Sequence, residues 1–305
     1  HLSIRRQRQM CIRDSHKTDV FLSEAITLEA KDAIDQSLKK EKPFFLYMSH
    51  YAVHSPFNSD PRFAHNYKDS KKPKNAQAYA TLIEGIDKSL GDLMNHVASK
   101  GEAENTLILF VGDNGSDAPL GRVHGYSSSV PLRGKKGTCY EGGMRVPFIA
   151  GWAKLGKKNT FPIARDSLHT DQIGTVMDLY STILETSGVK NPSGHVVDGV
   201  SLLKQFSGKR NPGRPDHFMC HFPHSHRSSY FTTFRQGDWK LIYRYKGKTK
   251  YELYHLGKDP FEVSNLAESE PSKLKEMTKA MAARLEKEDA LYISEGGKEL
   301  KPLIP

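Results

Sequence analysis

Cysteine, tryptophan and long apolar runs are all scarce in this sequence. Three cysteines, Cys11, Cys139 and Cys220, are spread over 305 residues. An odd number at such wide spacing excludes a disulfide framework, and no C-x-x-C pair marks a zinc site. The longest apolar runs, at 44–48, 107–111 and 146–152, hold five to seven residues. A membrane-crossing helix needs about 18–20. The order G-x-x-x-x-G-K-[ST] is missing, which excludes a P-loop. No internal repeat or low-complexity tract is present.

What is present is ordinary globular material, 37% hydrophobic and 26% charged, enough apolar surface to build a core. Acidic residues are outnumbered 35 to 45 by Lys and Arg, for a net charge of +10. That balance suits an anionic partner, but charge alone does not separate nucleic acid, phosphate esters and sulfated polymers. Within residues 1–15, four arginines against Asp14 contribute +3 of the excess. This segment has no apolar stretch of a secretory signal and no periodicity. Its 10–15 portion resembles a translated sequencing adapter. The segment is expected to be a non-native tail, with the natural gene continuing upstream.

From Thr18 onward the pattern is regular. Thr18 or Asp19 can cap a helix whose apolar residues recur from Phe21 to Leu38. Residues 43–49 read as a short buried parallel strand. The stretch 56–75 reads as loop, and 76–100 as a strongly amphipathic helix closed by Gly101. A second buried strand is predicted at 106–111 and a third strand at 146–150, flanking a Gly-rich loop at 112–143. Thr170 and Asp171 can cap a helix that ends at Gly188. Strands alternating with helices in this way predict an α/β fold with a mainly parallel sheet, whose strand ends carry ligand loops. After about residue 210 the texture changes. Alternating segments at 230–235, 239–245 and 251–254 predict a small antiparallel sheet, and 272–290 a helix beside it. The expected division is a tail at 1–15, an α/β domain at 16–210 and a C-terminal subdomain at 211–305.

Three stretches carry chemistry-bearing residues. Val111-Gly-Asp113-Asn114-Gly115 offers two hard oxygen ligands for Ca²⁺ or Mg²⁺, and equally reads as an Asx turn. Ser49-His50-Tyr-Ala-Val-His54-Ser-Pro56 offers two histidines as acid, ligand or surface groups. Pro131-Leu-Arg133-Gly-Lys135-Lys136-Gly-Thr-Cys139-Tyr-Glu141-Gly-Gly-Met-Arg145-Val-Pro147 offers cations that can clamp an oxyanion, or a basic Gly-rich loop.

The ordered set D-N-G, L-R-G-x-K-x-T-x-Y-E-G-G-x-R-x-P and H-T-D-Q-I resembles the sulfatase family of the alkaline-phosphatase-like superfamily. K-P-F-F-L-Y-M-S-H-Y-A-V-H-S-P-F, I-E-G-I-D-K-S-L-G-D-L, Asp198-Gly-Val-Ser-Leu202 and the segment 252–260 belong to the same likeness, which runs from about Thr18 to Ala267. The resemblance implies an alkaline-phosphatase-like α/β fold and sulfate-ester hydrolysis, with a sulfated carbohydrate as the expected substrate. It implies that Asp113 and Asn114 are two ligands of a divalent cation, usually Ca²⁺. It implies that His54 protonates the leaving oxygen and that Lys136 touches the sulfate. His50, Arg145, His221 and His224 are expected beside the substrate, with zinc or a solvated loop as other readings of the histidine cluster at 221–226. The family's formylglycine arises from a C-x-P-x-R or S-x-P-x-R motif, and neither occurs here. The two early metal-binding aspartates are missing as well. The chain is therefore expected to be the C-terminal two-thirds of a sulfatase, lacking its first strand and inactive alone, with Cys139 structural. Export to the periplasm or outside the cell is implied by the family alone, and neither a nucleic-acid partner nor an oligomeric state is implied. Two alternatives stay open: a phosphoesterase or phosphonate hydrolase of the same superfamily, and a non-catalytic module that binds sulfated glycan.

Overall fold

The structure, a computed structural model, describes residues 20–119, 129–165, 168, 172–227 and 230–305. These form two compact units. The first takes in the described residues up to Ile108 together with 118–119 and Trp152–Thr160. The second takes in Leu109–Asp117, 129–151 and Phe161–Pro305. The basic tail at 1–15 and the two pairs of capping residues, Thr18–Asp19 and Thr170–Asp171, lie outside the described residues.

In the first unit, helices α1 (Leu22–Lys39) and α2 (Lys74–Ser99) pack along their apolar stripes. Ile34, Val97 and Ala103 form the buried centre, with Leu38, Phe44 and Leu93 against it. Polar contacts fix the helix pair: Thr27 and Ser89 hydroxyls lie 2.6 Å apart, and buried Asp60 holds Arg62 at 2.6 Å. Gly101 follows α2 with φ +78, the left-handed conformation that glycine adopts without strain. The strand expected at 43–49 is not formed. These residues make no backbone hydrogen bond among the described residues, and Phe45 and Tyr47 are exposed. An apolar run becomes a strand only where a neighbouring strand accepts its amides.

Strands β1 (Leu107–Val111) and β2 (Phe148–Trp152) pair with each other. Gly112 N–H donates to the Pro147 carbonyl and Ala153 N–H to the Thr106 carbonyl, closing opposite ends of an antiparallel pair. Of these, β1 was expected to be buried. β1 is partly exposed throughout, and Ile149 of β2 is exposed, because this sheet has only two strands among the described residues. A four-residue turn of helix, α3 (Glu141–Met144), precedes β2. The helix expected from Thr170 begins later, as α4 (Asp178–Ser187), and ends at Gly188 as expected. A short helix, α5 (Leu203–Phe206), follows.

The C-terminal part of the second unit holds its largest core. Strands β3 (His217–Phe222), β4 (Phe231–Gln236), β5 (Trp239–Arg244) and β6 (Tyr251–His255) form an antiparallel meander. Helix α6 (Pro271–Lys287) begins with a proline, whose missing amide is harmless there. Its stripe of Leu274, Met277, Met281 and Leu285 buries against Phe234, Leu241, Tyr243 and Leu253. Side chains of a strand alternate between faces, so Lys240, Ile242 and Arg244 point the other way. That second face is covered too: Cys139 joins Phe231, Ile242, Tyr254 and Leu256 in one buried cluster. The chain ends in a small hairpin of β7 (Ser294–Glu295) and β8 (Lys298–Glu299).

Candidate active site

The loop after β1 and the Gly-rich loop before β2 meet backbone to backbone within the second unit. Gly115 N–H donates to the Gly143 carbonyl at 3.1 Å, and Lys136 N–H to the Ser116 carbonyl at 3.0 Å. A Cβ on Gly115 would stand 2.1 Å from the Gly142 oxygen, and one on Gly142 2.5 Å from the Arg133 oxygen. Side chains are excluded there, which is why D-N-G and E-G-G need their glycines.

This knot is anchored to the C-terminal sheet. Glu141, the residue before the two glycines, is buried and takes an ion pair from buried Lys240 of β5 at 2.9 Å. Lys240 also meets Glu262 at 2.7 Å, and the Glu262 carboxylate accepts the Glu141 amide at 2.7 Å. Burial raises the pKa of Glu262, with Lys240 opposing too weakly to reverse it. Burial works the same way on Glu141, but the charge and hydrogen bond of Lys240 outweigh it and hold that pKa below the ordinary value. Four residues further along β5, Arg244 donates to Glu252, to the Tyr140 hydroxyl and to Cys139 Sγ. Cys139 is fully buried and its pKa is raised chiefly by burial, a structural thiol as expected.

On this frame the expected site residues sit as follows. Asp113 is exposed, and Asn114 donates Nδ2 to the Gly115 carbonyl at 2.9 Å. Neither the Asp113 carboxylate nor Asn114 Oδ1 is engaged by a described residue, which leaves adjacent hard oxygens open to a cation. Lys136 is half-buried, and its ammonium forms no ion pair among the described residues. Arg145 is exposed, donates its amide to the Glu141 carbonyl and helps to depress the Glu141 pKa. His50 and His54 belong to the first unit. His54 is exposed, and its Nδ1 lies 2.8 Å from the Ser55 carbonyl. A carbonyl only accepts, so Nδ1 carries the proton and Nε2 is the nitrogen that exchanges one. His50 is half-buried, which lowers its pKa. His224 is exposed after β3.

His221 has a structural place rather than the substrate contact expected of it. It lies on the sheet face opposite Cys139, with Nδ1 2.7 Å from the Thr232 hydroxyl and Nε2 2.7 Å from the Leu291 carbonyl. Both ring nitrogens are committed. No cluster of three or more His, Cys, Asp or Glu side chains suited to a metal occurs among the described residues, so the zinc reading of 221–226 gains no partner.

Two contributors were missed by sequence reasoning. Arg227 donates to Asp117 and to the Lys136 carbonyl, both at 3.0 Å, tying the two loops together with Lys135, which meets Asp117 at 3.3 Å. Burial favours a raised Asp117 pKa, but Arg227 and then Lys135 prevail and lower it. The other is Lys240. A cation set within Trp239-Lys-Leu-Ile-Tyr243 has to be paired if that strand is buried, and this was the available signal.

Comparison with known proteins places the chain by family and fold. A family model described as Sulfatase matches residues 12–189, and one described as N-sulphoglucosamine sulphohydrolase, C-terminal, matches residues 135–290. The chain is 32% identical to a sulfatase of Formosa agariphila, over 84% of this chain and 47% of that protein. It is 30% identical to N-acetylgalactosamine-6-sulfatase of Canis lupus familiaris, over 82% of this chain and 48% of that protein. The crystal structure of Ps i-CgsB in complex with k-i-k-neocarrahexaose matches with a TM-score of 0.68 at 25% identity, covering 87% of this chain and 55% of that one. The chain thus spans about half the length of the curated relatives it matches. These likenesses bear out the alkaline-phosphatase-like α/β fold expected from the motifs.

Proposed function

This chain belongs to the sulfatase family, and from that premise we propose that the whole protein hydrolyses sulfate esters on a carbohydrate. The observation that carries the reading is the glycine knot: it sets Asp113, Asn114 and Lys136 on two loops joined by the Gly115–Gly143 and Lys136–Ser116 hydrogen bonds. Asp113 and Asn114 would hold Ca²⁺ or Mg²⁺ as two of the six or more oxygens that Ca²⁺ takes. A bound divalent ion supplies a positive charge against the peripheral sulfate oxygens. The Lys136 ammonium neutralises charge on the same group. Cleavage of the S–O bond leaves an alkoxide, a poor leaving group, and His54 Nε2 donates the proton it needs. Neither Cys139, buried, nor Cys220, whose pKa burial also raises, is suited to act as the nucleophile. The family's formylglycine would come from chain outside this sequence, so the 305 residues alone turn over no sulfate ester. Export to the periplasm or beyond follows the family. No described helix is long and apolar enough to cross a membrane.

The test uses the full-length protein with a sulfated oligosaccharide and an activated aryl sulfate. Asp113→Ala and Lys136→Ala should abolish release of sulfate. His54→Ala should depress turnover of the sugar sulfate by about 10²–10⁴-fold, the range of a general acid, and of the aryl sulfate far less. Equal losses on both substrates would remove the acid role from His54. Faster release of phosphate than of sulfate from matched esters would replace the sulfatase reading by the phosphoesterase one.

A further inference from the structure

The turn between β5 and β6, Lys246-Gly-Lys248-Thr-Lys250, is strongly basic and plays no part in the chemistry above. It borders an open groove of about 570 Å³ whose walls include Arg133, Tyr140, Arg244, Lys248 and Glu252. None of the candidate site residues lines this groove.

Its charge does not cancel. The single lining carboxylate, Glu252, is consumed within the wall by Arg244 Nε at 2.8 Å and by the Tyr140 and Tyr254 hydroxyls at 2.8 and 2.7 Å. Arg133 is held in place: it stacks 3.9 Å from the centre of the Tyr140 ring, and its Nη1 donates to the Tyr254 hydroxyl and the Glu262 carbonyl. Nε and Nη2 of Arg133 stay open among the described residues. Lys248 is exposed at the tip of the turn with no ion pair among the described residues, and Lys246 pairs with Glu295 and lies over the Tyr230 ring. A guanidinium pinned by its own ring stacking and two acceptors loses little freedom when an anion docks on its free edge. Two uncompensated cations in one groove favour a ligand with repeated negative groups, and they exclude a cationic one.

We propose that this groove is an anion-binding site for the sulfate groups of a polysaccharide chain. The choice of sulfate rests on the function proposed above, and the excess of positive charge does not. The groove extends recognition of a polymer beyond the ester that is cleaved.

The experiment titrates the 305-residue protein with a sulfated galactan oligosaccharide and with its chemically desulfated counterpart, by calorimetry at fixed salt. Wild type should bind the sulfated form, and added salt should weaken that binding. Lys248→Glu reverses a charge on an exposed turn and should weaken binding about tenfold, the fold-change of one reversed contact. Its melting temperature should not change. Lys248→Arg should retain affinity. In the full-length enzyme, Lys248→Glu should raise KM for the polymer and leave kcat on a small aryl sulfate unchanged. Binding by Lys248→Glu within twofold of wild type, equal binding of the desulfated sugar, or equally tight binding of duplex DNA would each overturn the proposal. Absence of sulfate release by the full-length enzyme would sink the hydrolase reading alone, because the calorimetric result needs no turnover.

Discussion

Of two pairs of β-strands in this molecule, the less apolar pair is the more deeply buried. β5 and β6 are buried on both faces, with Leu241, Ile242 and Leu253 fully inaccessible. β1 and β2 are more apolar, yet β1 is partly exposed along its whole length and Ile149 stands 63% exposed. The difference is not in propensity but in neighbours. β5 has a strand on either side, α6 over one face and the Cys139–Glu141 segment over the other. β1 and β2 have only each other as strand partners among the described residues. A strand's burial is a property of its surroundings, and the same short apolar run serves either case. The chemistry-bearing loops belong to both: they leave β1 and enter β2, but their anchor is β5.

The sharpest way to break this comparison is to remove the anchor. Lys240→Ala would leave Glu141 and Glu262 buried without their shared cation. Breaking a buried pair in this way costs about 3–5 kcal/mol, read as a shift in the urea midpoint. Full-length Lys240→Ala should also lose activity, because the knot beneath Asp113 and Lys136 would loosen. A loss below about 1 kcal/mol would mean that the E-G-G turn holds itself and that the sheet is mere backing.

A second test compares truncations in the two places. Leu253→Ala opens a cavity in a sealed core, where such changes cost about 2–5 kcal/mol. Ile149→Ala removes atoms that already face water and should stay within about 0.5 kcal/mol. Similar losses at the two positions would show that β2 is covered in solution.

The same contrast explains what could be read from the sequence. The α6 stripe was legible because its 3.6-residue period is local, and β4, β5 and β6 because alternation and Gly-containing turns are local too. β3 was missed: His217-Phe-Met-Cys-His-Phe222 is a sheet-edge strand only partly buried along its length, and its histidines disguise it. Residues 43–49 were misread in the opposite sense, since an apolar run does not announce whether a partner strand exists. At the site, Asp113, Asn114 and Lys136 emerged from ordered motifs. Their support did not, because the Glu141–Lys240 pair spans 99 residues and the contact of Gly115 with Gly142 is a fact of backbone proximity alone.

The smallest effect tests how the Tyr140–Arg244 face of β5 responds to acid. Burial works to raise the pKa of Glu252, but hydrogen bonds from Tyr254 and Tyr140 and the Arg244 charge outweigh it, so the folded value lies below the model-compound value of 4.5. A carboxylate with a depressed folded pKa contributes stability that is complete above its unfolded pKa and lost as pH falls through the folded one. Glu252 should therefore stabilise the protein in full above pH 4.5 and progressively less below it. Glu252→Gln keeps the shape and some hydrogen bonds but removes the charge that Arg244 faces. At pH 7 it should cost roughly 1–2 kcal/mol, the scale of charge-assisted hydrogen bonds. The gap between wild type and variant should narrow as pH drops below 4.5, and subtraction removes the other carboxylates that titrate in the same range. A gap that stays constant from pH 7 to pH 3 would show that Glu252 is not ionised in the folded protein. It would then be a neutral hydrogen-bonding group, and Arg244 would add an uncancelled charge to the groove above it.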